Sequence, residues 1–183
     1  MNQIMGNMIR FKKLNTILIS GLLATTIQVE MSAYAQTGAS GLPLPRYVSL
    51  KSNRTNMRVG PGRDYKVGWM YTRKGLPLEI YQEFDNWRKV RDLDGHEGWI
   101  LSSLLSGERT AIVAPWKRDD KSALINLFQE PKDGARITAR LEPGVLGEVD
   151  ECANGWCKIE VKDYEGYVIQ KEIWGVYPDE SIK

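Results

Sequence analysis

Polar and apolar residues alternate over short distances along most of the chain. Met57 and Val59 alternate with Asn56 and Arg58, and Leu78 and Ile80 alternate with Glu79 and Tyr81. A period of two marks a strand with one face buried. The turn Glu83-Phe84-Asp85-Asn86 leads into Trp87-Arg88-Lys89-Val90-Arg91. A second turn, 93–98, leads into Trp99-Ile100-Leu101. Residues 136–141, 146–152, 156–161 and 166–169 follow the same scheme. Short strands with turn signals every ~8–12 residues predict small antiparallel barrels or sandwiches, not a parallel sheet. The stretch 121–129 is short enough to read as helix or strand.

The strand pattern repeats. Residues 86–90 read NWRKV and 155–159 read GWCKI; 97–100 read EGWI and 165–168 read EGYV. Gly75 lies twelve positions before Trp87, as Gly144 lies twelve before Trp156. Gly98 follows Trp87 by eleven, and Gly166 follows Trp156 by ten. Four landmarks in one order predict a degenerate tandem repeat, with units near 48–106 and 110–175. A unit of about 60 residues has a marginal core, so the two are expected to pack together. The layout expected is a linker at 36–47, a domain at 48–106, a joining segment at 107–121, a second domain at 122–175 and a tail at 176–183. The joining segment contains TAIVAPW at 110–116, apolar enough to pack as a strand between lobes.

One stretch, NMRVGPGRDY at 56–65, raises the question of a phosphate-binding loop. A dinucleotide fingerprint needs a third glycine and a following helix, and a P-loop needs Gly-Lys-Ser/Thr. Neither is present, and Pro61 removes a backbone donor. The stretch reads as a corner in which Gly60 and Gly62 permit unusual dihedrals. The run Glu130-Pro131-Lys132-Asp133-Gly134 is the candidate for the same corner in the second unit.

These segments resemble the bacterial SH3-like (SH3b) family, and the exported tandem members in particular. The resemblance rests on Asn56-Met57-Arg58-Val59-Gly60-Pro61-Gly62, Lys74-Gly75, Asn86-Trp87-Arg88-Lys89-Val90 and Gly98-Trp99-Ile100-Leu101-Ser102-Ser103. It covers 49–105 strongly and 123–175 weakly. It implies an all-β chain of two small, partly open barrels, and members that bind peptides or cell-wall material. Matched residue by residue, Trp87 and Trp156 fall where the groove tryptophan lies, and Leu101 where a groove proline lies. Leu104 and Glu172 replace a groove tyrosine, a departure that weakens the case for a proline-rich ligand. The ligand-binding set expected is therefore Trp87, Trp99, Leu101, Leu104, Tyr65 and Trp156, with Arg63, Asp64 and Arg91 at the rim. Pro43-Leu44-Pro45-Arg46 reads as a tether before the first unit.

The N-terminus changes the compartment. Arg10, Lys12 and Lys13 precede an apolar run at 14–27, and Ala33-Tyr34-Ala35 supplies small residues before a cut. The run is shorter than the roughly 20 residues of a membrane span. A secretory signal peptide cleaved after Ala35 is expected, placing the chain in the periplasm or outside the cell. Membrane attachment arises only if that segment stays uncleaved. Removing 1–35 leaves 25 − 3 = 22 basic and 23 − 1 = 22 acidic residues. A neutral chain has no long-range attraction for nucleic acid. The balance is uneven: residues 36–107 carry 11 Lys/Arg and 7 Asp/Glu, and residues 108–183 carry 11 and 15.

Catalytic chemistry finds little support. His96, the sole histidine, lies in the turn Asp94-Gly95-His96-Glu97-Gly98, with no nucleophile assembled around it. Asp119-Asp120, Asp150-Glu151 and Asp179-Glu180 are adjacent pairs, whose side chains diverge on a strand. No catalytic residue, metal site or cofactor is expected. Cys152 and Cys157 bracket a four-residue hairpin loop, and outside the cytosol they should form a disulfide. The expectation is a non-catalytic binding module whose partner is a peptidoglycan stem or a peptide segment of a periplasmic protein. The alternative is an assembly protein that docks on a periplasmic partner.

Overall fold

The computed structural model describes residues 36–183. The signal-peptide reading at 1–35 lies outside the described residues, as does its cleavage point. Among the described residues there is no α-helix and no helix able to cross a membrane.

The first lobe is a seven-stranded sheet of β3 (Arg46–Leu50), β4 (Thr55–Arg58), β5 (Val67–Tyr71), β6 (Pro77–Phe84), β7 (Trp87–Arg91), β8 (Glu97–Leu101) and β9 (Leu105–Ser106). A two-stranded hairpin, β1 (Gln36–Thr37) with β2 (Pro43–Leu44), precedes it. The second lobe contains β10 (Thr110–Val113), β11 (Ile125–Phe128), β12 (Ile137–Leu141), β13 (Leu146–Ala153), β14 (Trp156–Val161), β15 (Tyr164–Ile169) and β16 (Ile173–Trp174). The sheet orders are β5-β4-β8-β7-β6-β3-β9 and β12-β11-β15-β14-β13-β10-β16, one topology used twice. Both sheets are antiparallel throughout, as the alternation predicts.

The repeat landmarks have structural causes. Gly75 and Gly144 occupy equivalent turns with φ of 78° and 87°, where a side chain would be strained. A Cβ on Gly98 would stand 2.7 Å from the Arg58 carbonyl oxygen, and one on Gly166 2.6 Å from that of Phe128. Both glycines let β8 and β15 approach the backbone of β4 and β11 closely, where each pair meets at one register position, Arg58 with Trp99 and Phe128 with Tyr167. Inside, Leu50, Leu78, Ile80, Val90 and Ile100 fill the first core, and Leu127, Ile159, Val113 and Val168 fill the second; all are nearly inaccessible.

Several boundaries differ from expectation. Residues 36–47, expected as a linker, fold into the β1–β2 hairpin and the start of β3, and Leu44 is buried in the first core. The 110–116 segment is a strand of the second lobe, not one between lobes: β10 pairs with β13 and β16 as β3 pairs with β6 and β9. The ambiguous 121–129 stretch contains strand β11. The 176–183 tail is packed, with Val176 in the second core and Ile182 bridged to Cys152. Gly60 and Gly62 have no unusual dihedral. A Cβ on Gly60 would strike the Tyr65 ring at 2.3 Å, so Gly60 is a seat for that ring.

The lobes touch through a polar and aromatic seam. Thr110 Oγ1 donates to the Gly75 carbonyl at 2.7 Å. The Tyr177 hydroxyl donates to Glu79 Oε1 at 2.9 Å, and Arg91 donates to Glu79 Oε2 at 2.5 and 3.1 Å. Tyr47 packs between Trp174, edge-on at 5.3 Å, and Tyr177 at 4.8 Å. Burial, with the Glu79 charge nearby, pushes the Tyr47 phenol up to about 12, so it stays neutral in the seam.

Candidate functional site: paired tryptophan rows

Strand register decides which side chains share the outer face of each lobe. Trp87 lies opposite Phe84 on β6 and Leu101 on β8. Trp156 lies opposite Ala153 on β13 and Ile169 on β15. One row along, Lys89 stands between Gln82 and Trp99, and Lys158 between Glu151 and Tyr167. Arg58 extends that row in the first lobe and Phe128 in the second. Alternate residues, Val90 and Ile100 or Ile159 and Val168, face inward and are buried. Each lobe thus carries a tryptophan flanked by two cross-strand neighbours, with a lysine and an aromatic ring beside it, the ring in the first lobe being the nearly covered Trp99.

In the first lobe, Trp87 and Leu101 are half-buried and Phe84 is 58% exposed, so the row is open to solvent. Trp99, expected at the binding face, is only 8% exposed. Leu104 packs inward against the core. Leu104 is thus a core filler, whereas Trp99 shares the outer row with Lys89 and Arg58 but is nearly covered there. Tyr65 is 50% exposed on the 59–66 loop, its ring held over Gly60 and Gly62. Arg58 Nη1 donates to the Tyr65 carbonyl at 2.6 Å and ties that loop to the sheet. Arg63 and Asp64 are exposed on the same loop. Arg91, expected at the rim, is drawn instead to Glu79 in the seam.

In the second lobe the row forms a cleft of about 140 Å³. Trp156 and Tyr167 floor it, Pro131 walls it from the loop, and Ala153 and Asn154 close it from the hairpin turn. Phe128 meets Trp156 edge-on at 5.6 Å and fixes the indole. The Tyr167 hydroxyl donates to Glu151 at 3.0 Å, a bond that pushes the phenol upward and keeps it protonated. Pro131 stands in the loop expected to be the counterpart of the Gly-Pro-Gly corner.

The inner face behind each tryptophan carries a cross-link. Cys152 and Cys157 are disulfide-bonded and buried, directly opposite each other on β13 and β14. At the same place in the first lobe, Glu83 lies opposite Arg88. The Glu83 carboxylate, 1% exposed, also accepts from Ser40 N and Oγ at 2.7 Å each and from Arg46 Nη2 at 2.8 Å. Burial alone would raise its pKa; the Ser40 and Arg46 hydrogen bonds and the Arg88 charge outweigh burial and lower it to about 2. Sequence reasoning missed this cluster, although the aligned NWRKV and GWCKI segments place Arg88 over Cys157.

His96, in the turn after β7, stacks on Trp69 at 4.2 Å with its Nδ1 3.0 Å from Asp92 Oδ2. It belongs to neither tryptophan row. Among the described residues no group of three or more His, Cys, Asp or Glu side chains could hold a metal ion.

The doubled topology has a counterpart among known proteins. Residues 51–107 and again 121–175 match the bacterial SH3 domain family. The chain belongs to that family. A bacterial SH3 domain thus occurs twice, in tandem, on the two lobes described above. Over 123 residues the chain is 23% identical to a Bacillus subtilis (strain 168) protein assigned as N-acetylmuramoyl-L-alanine amidase YrvJ. That match covers 65% of this chain and 24% of the relative, so the chain spans about a quarter of its length. Two solved structures from Trichomonas vaginalis are also similar, NlpC2 and NlpC1, each at 14% identity. NlpC2 covers 71% of this chain and 48% of its own, with a TM-score of 0.31; NlpC1 covers 78% and 50%, with 0.32.

Proposed function

We propose that this protein is an exported, non-catalytic binding module that holds a peptide stem of the cell wall against its two tryptophan rows. The observation that carries this reading is the retained outer face. The lobes have diverged so far that a salt bridge in one stands where a disulfide stands in the other. Both nevertheless keep a tryptophan, a lysine and an aromatic ring at the same register. Core demands do not explain the tryptophans, since both are half-buried on the side away from the core. An amphipathic ring on an open sheet face supplies large contact area at low entropy cost. Lys89, which joins no ion pair among the described residues, suits a carboxylate of a stem peptide, whereas Lys158 is held by Glu165 at 2.5 Å. The similarity to a protein named for an N-acetylmuramoyl-L-alanine bond supports a wall ligand.

The reading places the protein in the bacterial envelope. Co-sedimentation with purified sacculi tests it. The protein should be retained, and Trp87→Ala with Trp156→Ala should reduce retention about tenfold, as hot-spot tryptophans do. Equal retention of the double variant would remove the tryptophan rows from the account. An assembly role is the second reading, favoured by the exposed apolar residues Val67, Trp69 and Met70. Capture of one envelope protein, undisturbed by wall fragments, would support it.

A further inference from the structure

Strand β5 is the outer edge of the first lobe's sheet and pairs on one side only, with β4. Four of its five residues are exposed, and Val67, Trp69 and Met70 each show more than two fifths of their surface: 46%, 43% and 43%. The strand contains no charged residue and no proline, the usual devices that keep an exposed edge from pairing. The matching edge of the second lobe, β12, has Arg140 within it.

A groove of about 340 Å³ runs beside β5, between the lobes. It touches Trp69, Met70, Tyr71 and Thr72 in succession. Successive strand side chains point to opposite faces, so a groove that meets Trp69, Met70 and Tyr71 borders the strand's edge over its C-terminal part, where unpaired N–H and C=O groups project. Half-buried Leu76 and Leu93 give the groove apolar lining, and Ile112 and Pro115 of the second lobe border it but are nearly covered. The acids that border the groove are already engaged. Asp92 accepts from the Tyr71 hydroxyl and contacts His96 Nδ1, each at 3.0 Å, and Asp94 pairs with Arg118 at 2.5 Å. Arg54, beside Met70, and Arg73 and Lys74, at the end of β5, join no ion pair among the described residues. The uncommitted charge is positive, in keeping with the 11 basic and 7 acidic residues of 36–107.

We propose that this edge docks an extended acidic segment of a partner protein, which adds to β5 as a further strand. Its backbone would complete the free edge of the sheet. Its alternate apolar side chains would lie against Leu76 and Leu93, and its carboxylates would meet Arg54, Arg73 and Lys74. The site shares no residue with either tryptophan row and stands or falls independently of wall binding.

The test uses the full protein and two fluorescein-labelled decapeptides, one alternating Val with Glu and one alternating Val with Lys. Anisotropy should show the Glu peptide binding at least about tenfold more tightly at low salt. Bound peptide should slow amide hydrogen exchange across residues 67–73. Arg73→Glu with Lys74→Glu, both exposed, should weaken binding about tenfold while leaving wall retention unchanged. Equal binding of the two peptides, or protection that maps elsewhere, would overturn the proposal. So would protection of 67–73 that grows with protein concentration in the absence of peptide, because a second copy would then be the occupant.

Discussion

Replacing Glu83 with glutamine removes the charge at the centre of the first lobe's inner cross-link. The carboxylate is 1% exposed and receives Ser40, Arg46 and Arg88 together. A lowering from 4.5 to about 2 corresponds to roughly 3 kcal/mol of stability at neutral pH. The sign follows from the direction. Because the folded-state pKa lies below the unfolded one, the contribution is complete above about pH 4.5 and disappears as pH falls toward about 2. Glutamine keeps the shape but leaves Arg46 and Arg88 without a counter-charge, a loss of about 3 kcal/mol when a buried pair is broken. Urea unfolding followed by circular dichroism should therefore show Glu83→Gln with a lower midpoint and an unchanged slope at pH 7. The gap between variant and wild type should close as the solution is acidified to pH 2. A loss below about 1 kcal/mol at pH 7, within the range of exposed pairs, or a gap independent of pH, would refute the reasoning.

Two further substitutions probe the same architecture. Cys157→Ser should leave a folded protein that is less stable by about 2 kcal/mol, the chain-entropy value for so small a loop, read as a melting point lower by about 4–8 °C. An unchanged melting point would show that packing of the hairpin, not the bridge, holds Trp156. Gly98→Ala and Gly166→Ala each drive a methyl into a carbonyl oxygen at 2.7 or 2.6 Å, and each should cost more than about 2 kcal/mol in urea unfolding. Tolerance at either position would mean that the strand crossing can widen.

Much of the fold was legible because its signals are local. Alternation gave the strands, and the glycine and tryptophan spacing gave the repeat; the structure shows that those glycines answer a left-handed turn or a backbone crossing. The limits were less legible. Leu44 and Val176 look like residues of flexible ends, yet each joins a core through contacts distant in sequence. The family resemblance singles out Trp87 and Trp156, and both stand half-buried on the outer face. The burial of Trp99 and Leu104 was not legible, because it depends on contacts distant in sequence. The Glu83 cluster was hidden for a similar reason. Its partners Ser40 and Arg46 come from a segment whose composition resembles a linker, and only the fold brings them together.

The central claim is that the tryptophan rows hold peptide of the cell wall. Isothermal titration of the full protein with soluble wall fragments, compared before and after enzymatic removal of their stem peptides, tests it most directly. Peptide-bearing fragments alone should bind, and joint Trp87→Ala and Trp156→Ala substitution should weaken that binding about tenfold or more with the urea midpoint retained. Equal binding to stripped glycan, or full binding by the double variant, would contradict it.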